Sequence, residues 1–535
     1  MTEDFQNAAL AAHLADVLAE FGVREVCLCA GARSAPLVVQ FAGDTRFQRW
    51  SFFEERSAAF FALGRIKATG RPVAVVTTSG TAAGELLPGT MEAYYSGLPL
   101  LVMTADRPRR FRGTGAPQTA EQVGLFGVYV EQAADLAGAE RISLVEWSRT
   151  RPLHLNVCFD EPLLGPPPTP TVAMVTEQTA PALPIDTKGA QVVLGQFLDA
   201  SCSPVVIVGP LAPAERGPAL DFLTALGAPV LAEGLSGLRE HPRLEAQALH
   251  AGARALKNAD GRPWMDGVLR LGGVPTLRLW RDLDDGLAHL PLLSVSTQPF
   301  TGATHGELIC APLARLLPAL TLTPRPPSAG QEALLARDRT FNAAIQQLLQ
   351  AEPRSEPGLI ARLSALIPDG ARLFLGNSLP VREWDLAATR TPKNFEMAAS
   401  RGLNGIDGQV STFLGFSEDG RENWALVGDL TAMYDMAAPW ILGQRPDLSA
   451  HLVIVNNGGG KIFERMFASP AFQNQHELNF EPLARFWGLE YARWEEVPAS
   501  LPADFARRTL TEIVPDDDAT HRFWAAYDAL TVNTK

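Results

Sequence analysis

The stretches Trp424-Ala-Leu-Val-Gly-Asp-Leu430 and His451-Leu-Val-Ile-Val-Asn-Asn-Gly-Gly-Gly460 decide the fold of this chain. Each begins with the apolar residues of a short buried strand and ends in polar residues and glycine. The residues between them, 431–443, carry apolar side chains at helical spacing, so we predict a strand–helix–strand unit. Asp429 and Asn456 then stand at the carboxyl ends of neighbouring strands, the edge at which open α/β sheets bind ligands.

The residue types at these strand ends suit a divalent cation. Asp429 and Asn456 offer hard oxygen donors, and a backbone carbonyl of the glycine run offers a third. Mg²⁺ is usually held by a few protein oxygens and by phosphate oxygens, and glycines let the backbone approach a diphosphate closely. The alternative is an ordinary turn, with the aspartate as a helix cap and Asn-Gly as turn residues. The two halves together, at this spacing, favour the ligand site.

A second candidate is Glu55, in the stretch Ser51-Phe-Phe-Glu-Glu-Arg56. These acids end a short apolar strand and precede a predicted helix over 58–67. If the nearby phenylalanines, which include Phe52 and Phe60, exclude water from the site, the pKa of the Glu55 carboxyl group should be raised. The alternative is a pair of first-turn acids favoured by the helix dipole.

Composition narrows the possible functions. The 535 residues include 46 basic and 59 acidic side chains, a net charge of −13, which argues against non-specific nucleic-acid binding. The sequence opens with an acidic stretch and no export signal, and no apolar run is long enough to span a membrane. Five scattered cysteines support neither a disulfide framework nor a zinc site. We therefore expect a cytoplasmic protein.

Two proline-rich stretches, 161–185 and 320–330, divide the chain. Helices and strands alternate in the three segments that remain, which predicts parallel sheets. The fold class expected is α/β, with three doubly wound parallel-sheet domains over 1–165, 186–320 and 335–535.

Further loops follow predicted strands in the two outer segments. They are Ala30-Gly-Ala-Arg-Ser-Ala-Pro36, Thr104-Ala-Asp-Arg-Pro108, Gly113-Thr-Gly-Ala-Pro-Gln118, Gly376-Asn-Ser-Leu-Pro-Val-Arg382, Ser400-Arg-Gly-Leu-Asn-Gly-Ile-Asp-Gly408 and Asn456-Asn-Gly-Gly-Gly-Lys-Ile-Phe463. In this order the strings closely resemble the 2-succinyl-5-enolpyruvyl-6-hydroxy-3-cyclohexene-1-carboxylate synthase family, the thiamine-diphosphate enzymes of menaquinone biosynthesis. The middle segment is much less distinctive.

The resemblance implies a thiamine-diphosphate-binding fold and a transferase. The first domain would bind the pyrimidine ring and supply the activating glutamate, and the third would bind the diphosphate and the metal. The implied reaction decarboxylates 2-oxoglutarate and adds the succinic-semialdehyde carbanion to isochorismate, with release of CO₂. Implied cofactors are thiamine diphosphate and Mg²⁺ or Mn²⁺. The family also implies a homodimer or homotetramer with active sites at the interface, because the glutamate and the diphosphate motif come from different chains.

The resemblance assigns roles residue by residue. Glu55 corresponds to the glutamate that activates the cofactor ring. The implied metal ligands are Asp429, Asn456 and the carbonyl of Gly458. Further cofactor contacts implied are Ser378, Gly428, Leu430, Gly459, Ile462 and Ile406, the last as the residue that holds the cofactor bent. Both substrates carry several carboxylates, which guanidinium groups bind in a forked geometry. The implied substrate contacts are Arg33, Arg107, Gln118, Arg278, Arg382, Arg401, Ile462 and Phe463. The implied catalytic residues are Glu55 and the polar residues Arg33, Arg107, Gln118, Ser378, Arg382 and Arg401.

Three departures from the family pattern stand out. Ala32 replaces an expected serine, Asp429 is the only acid of its motif, and Arg278 stands alone where a Lys-Arg pair is expected.

Another thiamine-diphosphate carboligase or 2-oxoacid decarboxylase, of the acetolactate-synthase type, would share Glu55 and Asp429 but would not need the arginine loops. A non-catalytic nucleotide-binding module would give Glu55 no role.

Overall fold

The computed structural model describes residues 6–165, 185–256, 263–323, 327–467 and 469–530. Three sheets of six, five and six strands account for all the strands named in these ranges, and every pair of neighbouring strands is parallel. The predicted α/β fold with three parallel-sheet domains is confirmed. No helix in the described part of the chain is long and apolar enough to cross a membrane.

The first sheet has the strand order β2-β1-β3-β4-β6-β5. Its strands are β1 Glu25–Cys29, β2 Gln48–Phe52, β3 Val73–Thr77, β4 Leu100–Asp106, β5 Gln132–Ala137 and β6 Leu153–Cys158. Its helices are α1 Gln6–Glu20, α2 Ala35–Gly43, α3 Glu55–Thr69, α4 Thr81–Glu85 and α5 Leu87–Ser96. The central strands are buried along their whole length, which explains their nearly continuous apolar sequences.

The second sheet has the order β11-β10-β9-β7-β8. Its strands are β7 Pro204–Val208, β8 Val230–Ala232, β9 Gly267–Leu271, β10 Leu292–Ser296 and β11 Glu307–Cys310. Its helices are α6 Thr187–Ala200, α7 Pro213–Leu226, α8 Arg278–Asp282 and α9 Leu313–Leu316.

The third sheet repeats the topology of the first, in the order β13-β12-β14-β15-β17-β16. Its strands are β12 Arg372–Leu375, β13 Glu396–Ala398, β14 Asn423–Gly428, β15 Ala450–Val455, β16 Glu490–Trp494 and β17 Arg508–Ile513. The remaining helices are α10 Ala329–Ala351, α11 Glu356–Leu366, α12 Leu379–Ala387, α13 Gln409–Phe416, α14 Asp429–Tyr434, α15 Glu481–Trp487 and α16 Asp517–Ala529. The strand order reverses beside β12, so the carboxyl ends of β12 and β14 border the crevice where such sheets bind ligands.

The prediction of one continuous helix over 431–443 is wrong. The chain instead forms the short helix α14 and then a 3₁₀ helix, Ala438–Gln444. Two features separate them. Pro439 lacks the N–H group that a continuous helix would use there. The buried side chain of Asp435 accepts hydrogen bonds from the backbone and hydroxyl of Ser411, at 2.7 and 3.0 Å, and so turns toward α13.

The predicted linkers agree only in part with the structure. Most of the first, residues 166–184, lies outside the described residues. The second ends earlier than predicted, because Ser328 caps α10 and that helix begins at Ala329. The apolar face of α10 packs into the same core as strands of the second sheet, so the boundary at 335 falls inside a helix. The domain boundaries therefore stay a prediction.

The outer domains are joined by the close packing of α3 against α13. One hydrophobic core contains residues of both sheets together with Phe60, Phe61 and Phe413 from these two helices. A Cβ atom at Gly408, just before α13, would lie 1.9 Å from the ring of Phe60. This packing fixes the first turn of α3, and with it Glu55, relative to the third domain.

Candidate active site

Asp429 lies at the carboxyl end of β14, as predicted, and is buried. Its Oδ1 accepts a hydrogen bond from the backbone of Leu430 at 2.6 Å, and its Oδ2 accepts one from Gly459 at 2.9 Å. The Nε2 atom of His476 lies 3.3 Å from the same Oδ2. Burial raises the pKa of Asp429, which marks a carboxylate that a cation would stabilise. The contact with Gly459 brings the two predicted strand ends together.

The two asparagines after β15 have different surroundings. Asn456 donates from Nδ2 to Glu512 and to the carbonyl of Leu478, both at 2.7 Å, while its Oδ1 lies 3.3 Å from the backbone N–H of Gly458. Asn457 donates from Nδ2 to Glu356 at 2.9 Å, but its buried Oδ1 has no hydrogen-bond partner among the described residues. The unpaired amide oxygen in this motif therefore belongs to Asn457.

Glycines shape the loop around these side chains. Gly458 and Gly459 have φ angles of 79° and 141°, which other residues rarely adopt. A Cβ atom at Gly459 would lie 2.5 Å from the carbonyl oxygen of Gln473. The carbonyl of Gly458 accepts a hydrogen bond from the backbone of His476 at 3.0 Å. Within the described ranges, no three His, Cys, Asp or Glu side chains cluster as a metal site, so a cation here would need amide and carbonyl oxygens as well.

A cavity of about 1160 Å³ lies between the second and third domains, next to this loop. Its walls include Arg382, Arg401, Asn457, Ile462 and Glu233. It therefore brings together residues from three of the loops singled out in the sequence, and it adds an acid from the central domain that the sequence did not reveal.

Hydrogen bonds of Asn377 hold two of these loops in register. Asn377 donates to the carbonyls of Ser400 and Gly405, each at 2.7 Å, and accepts from Arg401 at 2.6 Å. Arg382 donates to the carbonyl of Ser378 at 2.6 Å. Ser378 itself has a φ of 73°, a strained conformation for a residue with a side chain and one that is common at functional sites.

Ile406 and Leu430 complete the implied cofactor contacts of the third domain. Ile406 lies half-buried in the loop that Asn377 braces, and Leu430 lies in the first turn of α14, directly after Gly428 and Asp429. Both therefore stand close in the chain to the braced loop and to the buried carboxylate.

Electrostatics in this cavity are dominated by buried ionic groups. Burial lowers the pKa of Arg401 to about 10. Burial, with Asp385 as a neighbouring acid, raises the pKa of Glu233 to about 8. Glu233 accepts from the hydroxyl of Thr276 at 2.5 Å, and Asp385 accepts from the backbone of Gly234 at 2.7 Å. The central domain is thus bonded to α12, the helix that carries Arg382.

Glu55 lies in the first domain, at the first residue of α3. Burial raises its pKa, and the nearby carboxylates of Glu54 and Glu85 add to the effect. Glu54 has the capping role: its side chain accepts from the backbone of Arg56 and Ser57 at 3.0 and 2.8 Å. Of the two acids, Glu55 is the one left free of the helix cap.

The other candidates of the first domain lie at the carboxyl edge of its sheet. Arg33 donates to the carbonyl of Phe159 at 3.0 Å and pairs with Glu161 at 3.3 Å. Arg107 donates to the carbonyl of Pro117 at 2.9 Å, and the neighbouring Gln118 is exposed with a φ of 56°. Among the described residues of this single chain, none of these three candidates lines the cavity between the second and third domains.

The last two candidates are placed differently. Arg278 begins α8, and its side chain lies outside what the structure describes. Phe463 ends the 3₁₀ helix Lys461–Phe463 and is exposed, with its ring 6.2 Å from that of Phe467.

Exposed aromatic side chains surround the first turn of α3. Phe53 is 59% exposed, and its ring lies 5.0 Å from that of Trp440. Arg56 stacks on Tyr434 at 4.9 Å. We call these residues the aromatic patch; it joins elements of the first and third domains beside Glu55, and large exposed apolar surfaces mark interaction sites.

Sequence patterns missed several residues that shape the site. Glu512 is a lone acid in the buried strand β17, a signal that could have been noticed, whereas His476 and Glu233 stand in stretches with no distinguishing pattern. Asn457 was part of the quoted motif, but only the three-dimensional contacts separate it from Asn456.

Comparison with known proteins agrees with this geometry. Residues 8–125 match the family model described as "Thiamine pyrophosphate enzyme, N-terminal TPP binding domain". The chain is 42% identical over 532 residues to 2-succinyl-5-enolpyruvyl-6-hydroxy-3-cyclohexene-1-carboxylate synthase of Bdellovibrio bacteriovorus, an alignment that covers 98% of this chain and 99% of that protein. It is 38% identical to the protein of the same name from Akkermansia muciniphila, over 94% of this chain and 95% of that protein. A third protein of that name, from Halobacterium salinarum, is 34% identical over 98% of both chains. The chain therefore belongs to the 2-succinyl-5-enolpyruvyl-6-hydroxy-3-cyclohexene-1-carboxylate synthase family.

Proposed function

We propose that this protein uses thiamine diphosphate to decarboxylate 2-oxoglutarate and to add the resulting four-carbon unit to isochorismate, in menaquinone biosynthesis. The observation that carries the proposal is the cavity that holds two arginines, Arg382 and Arg401, next to the glycine-rich loop of Asn457. Full-length similarity to proteins that bear the synthase name supports the same reaction. A cytoplasmic location is part of this proposal.

The third domain has the features needed to hold the diphosphate of the cofactor through Mg²⁺ or Mn²⁺. We assign the carboxylate of Asp429 as one metal ligand and a carbonyl of the loop at Gly458 and Gly459 as another. For the amide ligand, the unpaired Oδ1 favours Asn457 over the neighbouring Asn456, whose Oδ1 accepts from the backbone N–H of Gly458. The positive φ angles of the glycines leave room for phosphate oxygens.

Thiamine diphosphate supplies the electron sink for carbanion chemistry when it is bound. Glu55 is proposed to accept a hydrogen bond from, and exchange a proton with, the aminopyrimidine of the cofactor. Its raised pKa and its freedom from the helix cap support this role, because a general acid–base group works best near the operating pH.

The arginines are proposed to bind substrate carboxylates. Arg382 and Arg401 line the cavity in one chain, so we assign them to the carboxylate of 2-oxoglutarate that remains after CO₂ leaves. Arg33, Arg107 and Gln118 stand at the edge of the first sheet with Glu55, and we assign them to isochorismate. Ile462 and Phe463 would form the apolar wall.

A second copy of the chain is proposed to complete the site. The aromatic patch is exposed and lies beside the half-buried Glu55, while the cofactor loop lies in the third domain. Pairing two chains through the patch would cover its exposed aromatic rings and bring Glu55 of one chain to the cofactor of the other. Light scattering should give a dimer or tetramer, and an active monomer would contradict the proposal.

Release of CO₂ tests the reaction. We expect CO₂ from 2-oxoglutarate only when thiamine diphosphate and Mg²⁺ are present, and faster turnover when isochorismate is added. Pyruvate is the control substrate, because an acetolactate-type carboligase would prefer it. Turnover of pyruvate at a rate equal to or above that of 2-oxoglutarate would refute the assignment.

A further inference from the structure

Glu356 is a buried acid that contacts the cofactor loop from outside the motif. It stands in the first turn of α11 and is 2% exposed. Its Oε2 accepts the hydrogen bond from Nδ2 of Asn457 at 2.9 Å, and its backbone N–H donates to the hydroxyl of Thr520 at 3.0 Å. The residue is therefore held through its backbone by Thr520 of α16 and through its side chain by Asn457.

This contact determines which end of the Asn457 amide faces which way. A carboxylate oxygen only accepts hydrogen bonds, so it attracts the NH₂ group and repels the amide oxygen. With the NH₂ group held by Glu356, the amide oxygen points away from it, and this oxygen is the buried atom without a partner. A 180° flip of the amide would place two acceptors against each other and would leave a donor where a cation requires an oxygen.

A second buried acid lies near Glu356, on the neighbouring helix. Glu383, in α12, is 2% exposed, and neither of its carboxyl oxygens has a hydrogen-bond partner among the described residues. Burial, and then the charge of Glu356, hold the pKa of Glu383 well above its ordinary value, and burial raises the pKa of Glu356 as well. Helix α12 also carries Arg382, so Glu383 lies on the helix of a proposed substrate arginine.

We infer that Glu356 is a positioning residue that orients the Asn457 amide, so that its oxygen is presented to the metal and diphosphate of the cofactor. The inference rests on the proposed function. Glu356 does not itself touch the cofactor in this scheme, and its effect should appear in the affinity for thiamine diphosphate and Mg²⁺ rather than in the chemical step.

Three variants separate orientation from other effects of the buried acid. Glu356→Met has a similar volume but no acceptor, so it removes the contact with Asn457 without opening a cavity. Glu356→Gln keeps an acceptor oxygen and should restore the wild-type behaviour. Glu383→Gln is the matched control, because it alters the same carboxyl pair while leaving the contact with Asn457 in place.

Affinity is measured by quenching of intrinsic fluorescence as thiamine diphosphate is titrated into the full-length protein at fixed Mg²⁺. We expect Glu356→Met to weaken binding at least about tenfold, and Glu356→Gln and Glu383→Gln to stay within about threefold of wild type, since one hydrogen bond to a charged group is at stake. With saturating cofactor and Mg²⁺, kcat of the methionine variant should return to near the wild-type value. Melting of the cofactor-free proteins checks folding, and Glu356→Ala replaces the methionine variant if that one does not fold.

Two results would overturn the inference. One is wild-type cofactor affinity in Glu356→Met, and the other is an equal loss in Glu356→Gln, which would point to charge rather than orientation. A double variant adds a direct check: if Glu356 acts through Asn457, Glu356→Met should cause no further loss in an Asn457→Ala background. Failure of the proposed function looks different, because the wild-type protein would then show no Mg²⁺-dependent binding of thiamine diphosphate.

Discussion

Replacement of Gly64 by alanine tests how the two outer domains are held together. Gly64 lies in α3 where that helix crosses α13, and a Cβ atom at this position would lie 2.1 Å from the carbonyl oxygen of Thr412 and 2.6 Å from the amide of Phe416. On the facing side, a Cβ atom at Gly415 would lie 2.1 Å from the carbonyl oxygen of Phe61. Both obstacles are backbone atoms, so no side-chain rotation can relieve the clash.

The magnitude follows from this geometry. Real Cβ atoms essentially never approach another atom within 3.0 Å, so the alanine must push the helices apart by about 0.9 Å. Overpacking a well-filled core costs about 1–3 kcal/mol, and a clash with backbone on both helices belongs at the upper end. Alanine gains back about 1 kcal/mol of helix propensity. We therefore expect a net loss of about 2 kcal/mol, which lowers the Tm by roughly 4–8 °C for domains of this size.

Thermal unfolding followed by fluorescence measures the loss. Gly195→Ala is the matched control, since Gly195 lies in α6 and a Cβ atom there meets nothing within 4 Å. That substitution should raise stability by about 0.5–1 kcal/mol. Because α3 begins with Glu55, Gly64→Ala should also lower kcat/KM for 2-oxoglutarate. A Gly64→Ala protein that melts at or above the wild-type temperature would refute the reasoning about α3 and α13.

Three further outcomes follow from the site and the core. Glu55→Gln should slow exchange of the thiazolium proton with D₂O by about 100-fold or more, while the affinity for thiamine diphosphate stays within about threefold of wild type. An exchange rate equal to that of the wild-type protein would contradict the role assigned to Glu55. Arg382→Lys and Arg401→Lys should each lower kcat/KM for 2-oxoglutarate at least about tenfold, which corresponds to roughly 1.4 kcal/mol. The reason is that lysine keeps the positive charge but loses the forked geometry of the guanidinium group. A loss of cofactor affinity alone would contradict this prediction. Burial raises the pKa of Asp435 from 3.8 to about 7, so between these pH values the folded state holds a proton that the unfolded state releases. The contribution of Asp435 to the free energy of unfolding should therefore be largest below pH 4 and should fall as the pH rises toward 7. Asp435→Asn should remove this pH dependence of stability, which is worth at most roughly 4 kcal/mol. Urea unfolding of the wild-type and variant proteins at pH 5 and pH 8 measures it. An unchanged pH dependence in the variant would show that Asp435 is not its source.

Strand and loop positions could be read from local sequence because the central strands are buried on both faces. The strands β1, β3, β7, β9 and β12 are each a short, largely apolar run closed by polar or glycine residues, a pattern that local sequence shows. The outer strands β5, β11, β13 and β16 and the polar strand β17 were not predicted. β17 is buried yet carries two threonines and a glutamate, and this Glu512 holds Asn456 rather than filling the core.

The sequence by itself determined the α/β class, the three sheets and the loops that carry the candidate site, because hydrophobic periodicity and strand-end glycines are local signals. Only the tertiary structure decided which atoms of those loops meet. It paired Asn457 with Glu356, 101 residues earlier in the chain, and left the amide oxygen of Asn457 unpaired. It brought Glu233 of the central domain into the cavity of Arg382, and it separated Glu55 from its capping neighbour Glu54. The physical reason is that hydrogen bonds and burial depend on distances between segments far apart in the chain, and no local pattern encodes those distances.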